Sequence, residues 1–270
     1  MSTAESLNYG RQRSACVKFV SSQHYQRDAF EAGLRSLGFA VEQRPNGTPK
    51  PGDLLVLWNR YSRDEREARG YENAGADVLI VENAWLGPEV KPQTCFAICR
   101  NHHNGAGTWH VGNEPRPLDW PVKPWRSNGK HVLILPQRGL GEEGVRMPRG
   151  WPQRAEALLH GVTNRPIKVR GHPGIRPHPP MDDDLKDCWA AVTWASGAAL
   201  KAICAGIPVF YEFEHWIGGP AAEFGIADGI SDIENPYLGD RGWMLHRLSW
   251  AQWNVNEIAK GIPFRWLLKF

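Results

Sequence analysis

The sequence has no apolar run approaching the 18–20 residues that a membrane-spanning helix needs, which excludes a helical integral membrane protein. No signal peptide opens it, so the expected location is the cytoplasm. Cysteine is scarce. Cys16, Cys95, Cys99, Cys188 and Cys204 are dispersed, odd in number and form no CxxC pair. That argues for reduced core residues and against a disulfide framework or a zinc site. Charge of one sign is also lacking. The formal net charge of +3 allows an anionic ligand or a nucleic-acid partner without demanding one. No internal repeat or low-complexity segment is present. The one dense acidic run, Asp182-Asp183-Asp184, points its carboxylates in different directions on a helix, and an acidic first turn is favoured there. It reads as helix-end charge, and no metal is expected.

Tryptophan, by contrast, is abundant, with 13 in 270 residues. Trp58, Trp85, Trp109, Trp120, Trp125, Trp151 and Trp216 sit beside glycine, proline or polar residues. Such rings either stack on sugars and bases or plug loops. The length suits two domains. The first fourteen residues are polar and read as a loose arm. In the N-terminal half, strands are expected over 16–20, 39–42, 53–58, 77–81 and 94–99, with helices over 26–37 and 64–74, which suggests a small doubly wound sheet. Residues 115–128 are proline-rich and read as a constrained joint. A second alternating series follows, with strands over 131–136, 166–169, 190–193 and 207–210 and helices over 152–159, 182–187 and 198–204. Residues 243–260 read as one long amphipathic helix.

The stretch WAAVTWASGAALKAICAGIPVF, residues 189–210, is the clearest signal. A buried strand, a small-residue turn, a helix and a second strand make a βαβ crossover, hence a parallel sheet. Ligands of such sheets bind outside the carboxyl ends of the strands. The turn Ser196-Gly197 lies at such an end and opens a helix, so it is either a phosphate seat or an ordinary N-cap. Two further strand ends carry Gln137-Arg138-Gly139 and Arg170-Gly171-His172-Pro173-Gly174. Together the three turns offer guanidinium forks, an imidazole, a serine and backbone N–H groups, the parts of a nucleotide or nucleotide-sugar cradle. Lys201 follows on the helix. GLGEEG matches a dinucleotide-binding pattern in form only, because Met147-Pro148 follows it instead of a helix.

HVLILPQRG, RGHPG and VTWASGAALKAICAGIPVF resemble the nucleotide-binding half of GT-B glycosyltransferases. The likeness is greatest to the capsule-type Kdo transferases and covers about residues 130–212. The whole chain, through WNRY, ENAWLG, HHNGAG, KPWR and WAQW, is similar to phage-encoded proteins labelled as glycosyltransferases. The resemblance implies two Rossmann-like α/β domains facing across a cleft. Residues 1–122 would form the acceptor side and 123–242 the nucleotide-sugar side, and a C-terminal helix, 243–270, would cross back onto the first. It implies a nucleotide-sugar co-substrate and no other cofactor, with His172 and Ser196 at the donor phosphate and Gln137 and Arg138 near the sugar or diphosphate. The Kdo class carries an aspartate in its Gln loop. Here the acidic residues are Glu142 and Glu143.

An inverting transferase needs a base for the acceptor hydroxyl. His103 is the first candidate, then His102 and Glu82, with Glu142 or Glu143 next. Trp58, Asn59, Arg60 and Asn104 are candidate acceptor contacts. Arg60, Arg63, Arg66 and Arg69 lie at helical spacing and read either as a phosphate-tracking row or as a solvated face offset by Asp64, Glu65 and Glu67. The favoured acceptor is a hydroxymethylated pyrimidine in phage DNA, and the rival a surface glycan. A non-catalytic nucleotide- or DNA-binding module and a sugar-nucleotide epimerase are the alternatives of other classes. The sequence carries no signal for oligomeric state.

Overall fold

The structure, a computed structural model, describes residues 11–44, 47–88, 92–102, 106–116, 118–172, 179–226 and 230–268. The loose-arm reading for residues 1–10, and His103 and Asn104, lie outside the described residues. The N-terminal strands are β1 (Ser14–Lys18), β2 (Ala40–Glu42), β3 (Leu54–Trp58), β4 (Asp77–Asn83) and β5 (Cys95–Arg100). A second series follows with β6 (His131–Leu135), β7 (Ile167–Val169), β8 (Cys188–Thr193), β9 (Val209–Tyr211) and β10 (Glu223–Phe224). The chain then returns to the first sheet as β11 (Gln252–Asn254). Strand order is β11-β5-β4-β3-β1-β2 in the first sheet and β10-β9-β8-β6-β7 in the second. The molecule is a two-domain, Rossmann-like α/β protein.

Strand periodicity explains the two-faced first sheet. Val17, Val56 and Leu79 face one core, and their neighbours Cys16, Leu55 and Val78 face the other. The first core takes Phe30 and Leu34 of α1 (Arg27–Ser36), and the second takes Ala68 and Tyr71 of α2 (Arg63–Asn73). The second sheet is covered by α3 (Trp151–His160) on one face and α5 (Gly197–Cys204) on the other. A short α4 (Met181–Leu185) precedes β8.

Two expectations need correction. The first sheet is not wholly parallel, because β5 runs antiparallel to β4 and β11 antiparallel to β5. Among the described residues no helix separates β4 from β5, whereas a parallel pair requires a crossover. The expected long C-terminal helix is also broken. It divides into α6 (Arg241–Ala251), β11, α7 (Val255–Ala259) and α8 (Ile262–Leu268). Gln252 and Trp253 are buried as β11 pairs with the edge of β5. Asn254 then starts α7 with a reciprocal capping box to Glu257. The tail crosses back as expected: Ile258, Phe264 and Leu267 join the core over α1. The contact is close, since a Cβ on Gly33 would stand 2.0 Å from the Ile258 carbonyl oxygen.

The proline-rich joint is pinned, as its composition suggests. Lys123 N donates to Cys204 O at 2.8 Å, and Arg126 N donates to Gly206 O at 2.8 Å. Gly206 ends α5 at φ +82°, and a Cβ there would meet Pro124 O at 2.0 Å. Only glycine meets both demands.

Candidate functional site

Two strand-end turns of the second sheet, those after β6 and β8, are stitched together. Thr193 donates its hydroxyl to Leu135 O at 2.9 Å and accepts Ser196 N–H at 2.9 Å. Gln137 reaches across and donates Nε2–H to Ala195 O at 3.2 Å. Its Oε1 is buried and accepts no hydrogen bond among the described residues. A buried amide oxygen in that state is poised for a donor group on a ligand. Ser196 caps α5 by accepting Ala198 N–H at 3.2 Å. Trp85, from beyond β4, crosses this helix end, with its ring 3.0 Å from where a Gly197 Cβ would stand.

His172 is half-buried, and burial followed by the nearby charge of Arg138 pushes its pKa below the ordinary histidine value. Pro173, Gly174 and His178 lie outside the described residues. Arg138 and Gly139 line a notch of about 530 Å³ with Arg146, Arg149 and Gly150. Arg170 differs from its expected role. Its guanidinium, 10% exposed, pairs with Asp184 and donates to Pro179 O at 2.7 Å, so it ties β7 to α4 instead of facing a donor. Asp184 thereby gains a structural partner from the acidic run. Lys201 lies 5.8 Å over the Trp120 ring.

Between the two sheets lies a cleft of about 740 Å³. One wall is His102, Gly107, Thr108 and Trp109. The other is Tyr211, Glu214, His215 and Trp216, with Arg247 reaching in from α6. His102 Nδ1 contacts Glu142 Oε1 across the seam. Glu142 is 5% exposed on its side chain and His102 is 39% exposed. A carboxylate only accepts, so Nδ1 is the donor in this contact, and in the neutral ring Nε2 is the acceptor. Glu82 does not line the cleft. It sits on β4 opposite Ala97, near buried Cys99.

The expected acceptor contacts come apart. Arg60 is buried and donates to Glu65, to Glu72 and to Asn101 O at 2.6 Å. Its charge is spent inside, and the arginine row loses its first member. Trp58 packs in an aromatic cluster with Phe19, Tyr25 and Phe96, its centroid 4.6 Å from that of Tyr25. Asn59 turns the chain after β3 at φ +66°. Trp151 is a core residue, and Trp216 is almost fully buried where it backs the cleft wall. Among the described residues no group of three metal-ligating side chains forms, and no helix is long and apolar enough to cross a membrane.

The same architecture occurs in solved structures. The Thermosulfurimonas dismutans KpsC beta Kdo 2,4 transferase superposes with a TM-score of 0.55 at 12% identity, over 92% of this chain and 98% of that one. The beta Kdo 2,7 transferase of the same KpsC gives 0.52 at 11% identity, over 96% and 100%. The chain has the fold of these transferases. Neither a protein-family model nor a curated protein sequence matches it.

Sequence reasoning reached the stitched turns and named His102 and Glu142 separately. It missed their contact, which joins loops 40 residues apart. It also missed Arg247, because a continuous helix gave no reason to single out one of its charges. Trp109 beside Gly107-Thr108 was the available signal for that wall of the cleft.

Proposed function

We propose that this protein is a glycosyltransferase that moves a sugar from a nucleotide-activated donor to a hydroxyl held in the cleft. The observation that carries the reading is the His102–Glu142 pair at the seam of a fold shared, over nearly the whole chain, with two Kdo transferases. The donor would lie against the strand-end turns of the second sheet. Gln137 Oε1 would accept from it, and Arg138, His172, Ser196 and the N-terminus of α5 would offset charge on the leaving phosphate. His102 would take the acceptor proton on Nε2, with Glu142 fixing the ring and stabilising the imidazolium. We take His102 as the base because its contact with Glu142 is described; His103 lies outside the described residues.

A hydroxymethylated pyrimidine in DNA was the acceptor suggested by sequence. The burial of Arg60 removes part of the support for it, so we favour a saccharide hydroxyl. The test incubates the full chain with a panel of nucleotide sugars and two acceptors, an oligosaccharide and hydroxymethylcytosine-containing DNA, and reads products by mass spectrometry. A one-sugar mass gain on the oligosaccharide with nucleotide release is expected. A gain on the DNA would restore the DNA acceptor. An intact donor in every combination would reject transfer and favour a nucleotide-binding module.

A further inference from the structure

Buried arginines in this chain are matched by carboxylates. Arg27 meets Glu31, Arg60 meets Glu65 and Glu72, Arg116 meets Glu257, and Arg170 meets Asp184. The matching is expected, since a cation taken out of water without a counter-charge is costly. Half-buried Arg126 and Arg241 have no carboxylate but donate to backbone carbonyls. Arg247 has neither kind of partner among the described residues. It is half-buried on α6, and no carboxylate pairs with it among the described residues. Its guanidinium carbon lies 5.3 Å over the Trp109 ring. That contact orients the planar fork and leaves its N–H groups without an anionic acceptor. Burial pulls its pKa below the usual arginine value, with the nearby Tyr211 acting weakly the other way.

The setting is a built cleft. Arg247, Thr108, Tyr211 and His215 line the same cavity of about 740 Å³ as His102, a size that suits a small-molecule site. Glu214 lines it too, without forming an ion pair to Arg247. The donor turns around Gln137 and Ser196 do not line this cavity. A molecule held here is therefore the one whose hydroxyl faces His102.

We infer that Arg247 is a specificity residue that binds an anionic group, a carboxylate or a phosphate, carried by the acceptor saccharide. The inference rests on the transferase reading only in calling the bound molecule an acceptor. Such a group would supply the missing counter-charge, and a bidentate pair with the guanidinium would fix the acceptor's orientation relative to His102.

Direct binding tests this without any turnover. Methyl glucuronide, glucose phosphate and neutral methyl glucoside are titrated separately into the full chain, with Trp fluorescence and saturation-transfer NMR as readouts. The parent should bind at least one charged probe about 10- to 100-fold more tightly than the neutral one, the range expected for a hydrogen-bonded charge. Which charged probe wins separates carboxylate from phosphate. Arg247→Met should abolish the preference, and Arg247→Lys, which keeps the charge but loses the fork, should retain only part of it. Equal affinity of the parent for charged and neutral probes overturns the inference. So does an undiminished preference in Arg247→Met or, where that variant fails to fold, in Arg247→Lys. A protein that discriminates in this way yet transfers no sugar would refute the proposed activity and leave the anion site standing.

Discussion

Gln252 offers a sharp test of how the two units are joined. It is 4% exposed on β11. Its Oε1 accepts N–H from Trp85 at 2.7 Å and from Leu86 at 2.9 Å, and its Nε2 donates to Leu86 O at 2.8 Å. Replacing it with methionine keeps the shape and removes all three bonds. Leu86 is 1% exposed, so water does not reach its freed N–H and C=O. An unmade bond at a buried group costs about 1–3 kcal/mol. Two such groups, with Trp85 N–H partly able to relax, give about 3–6 kcal/mol. A domain is stable by only about 5–15 kcal/mol, and each kcal/mol moves the midpoint by about 2–4 °C at this size. Gln252→Met should therefore melt roughly 6–24 °C lower by calorimetry and near-UV circular dichroism. Gln252→Glu keeps an acceptor for both N–H groups and should fall between the two. The residues that Gln252 holds also carry Trp85 onto the start of α5, so the Met variant should bind a nucleotide-sugar donor more weakly even while folded. A Met variant that melts within about a degree of the parent would refute the reasoning.

Replacing the candidate pair should reduce turnover by about 100- to 10,000-fold for His102→Gln, with Glu142→Gln close behind; donor affinity should hold, and single-turnover rates of the double variant should be little worse than those of the worse single one. Gly33→Ala places a methyl 2.0 Å from Ile258 O, so denaturant titration should show a loss of at least about 2 kcal/mol, with the C-terminal helices released first. His131 is buried with Nε2 against Asp184 O at 3.0 Å, and burial lowers its pKa from 6.5. The unfolded chain then binds more protons at this site in mild acid, so stability present above the ordinary histidine pKa is lost as pH falls through the lowered one. His131→Gln should flatten that part of the stability profile measured by urea titration.

The parallel frame was legible because it is written in local pattern. Residues 54–57 and 132–135 are unbroken apolar runs, and all are buried. Gly206 and the Ser196 cap sit where their chemistry predicts. What escaped the sequence was long-range. Residues 252–254 make a strand only because the edge of β5 is there to pair with, and the helical periodicity around them runs straight through. Arg60 stands among exposed-looking charges, yet it is the buried centre of a pair with Glu65 and Glu72. Linear spacing cannot tell a guanidinium that faces water from one that faces two carboxylates. The site divides the same way. Its strand-end turns follow from topology, whereas His102–Glu142 and Arg247–Trp109 exist only once the two sheets meet.

That meeting also constrains how the cleft can work. A hinge that opened it widely would have to separate His102 from Glu142 and lift Trp85 from Gly197. The proline joint resists as well, because Lys123 and Arg126 are bonded to the far end of α5. Arg241 lies 4.2 Å over Trp125, which ties α6 to the same joint. Each link is worth only about 0.5–3 kcal/mol, so their joint effect is a sum of modest terms. Interfaces of this kind switch between discrete packings and do not deform smoothly. Arg247 on Trp109 is a cation of the cleft walls with no carboxylate partner among the described residues, which is why we tie substrate choice to it.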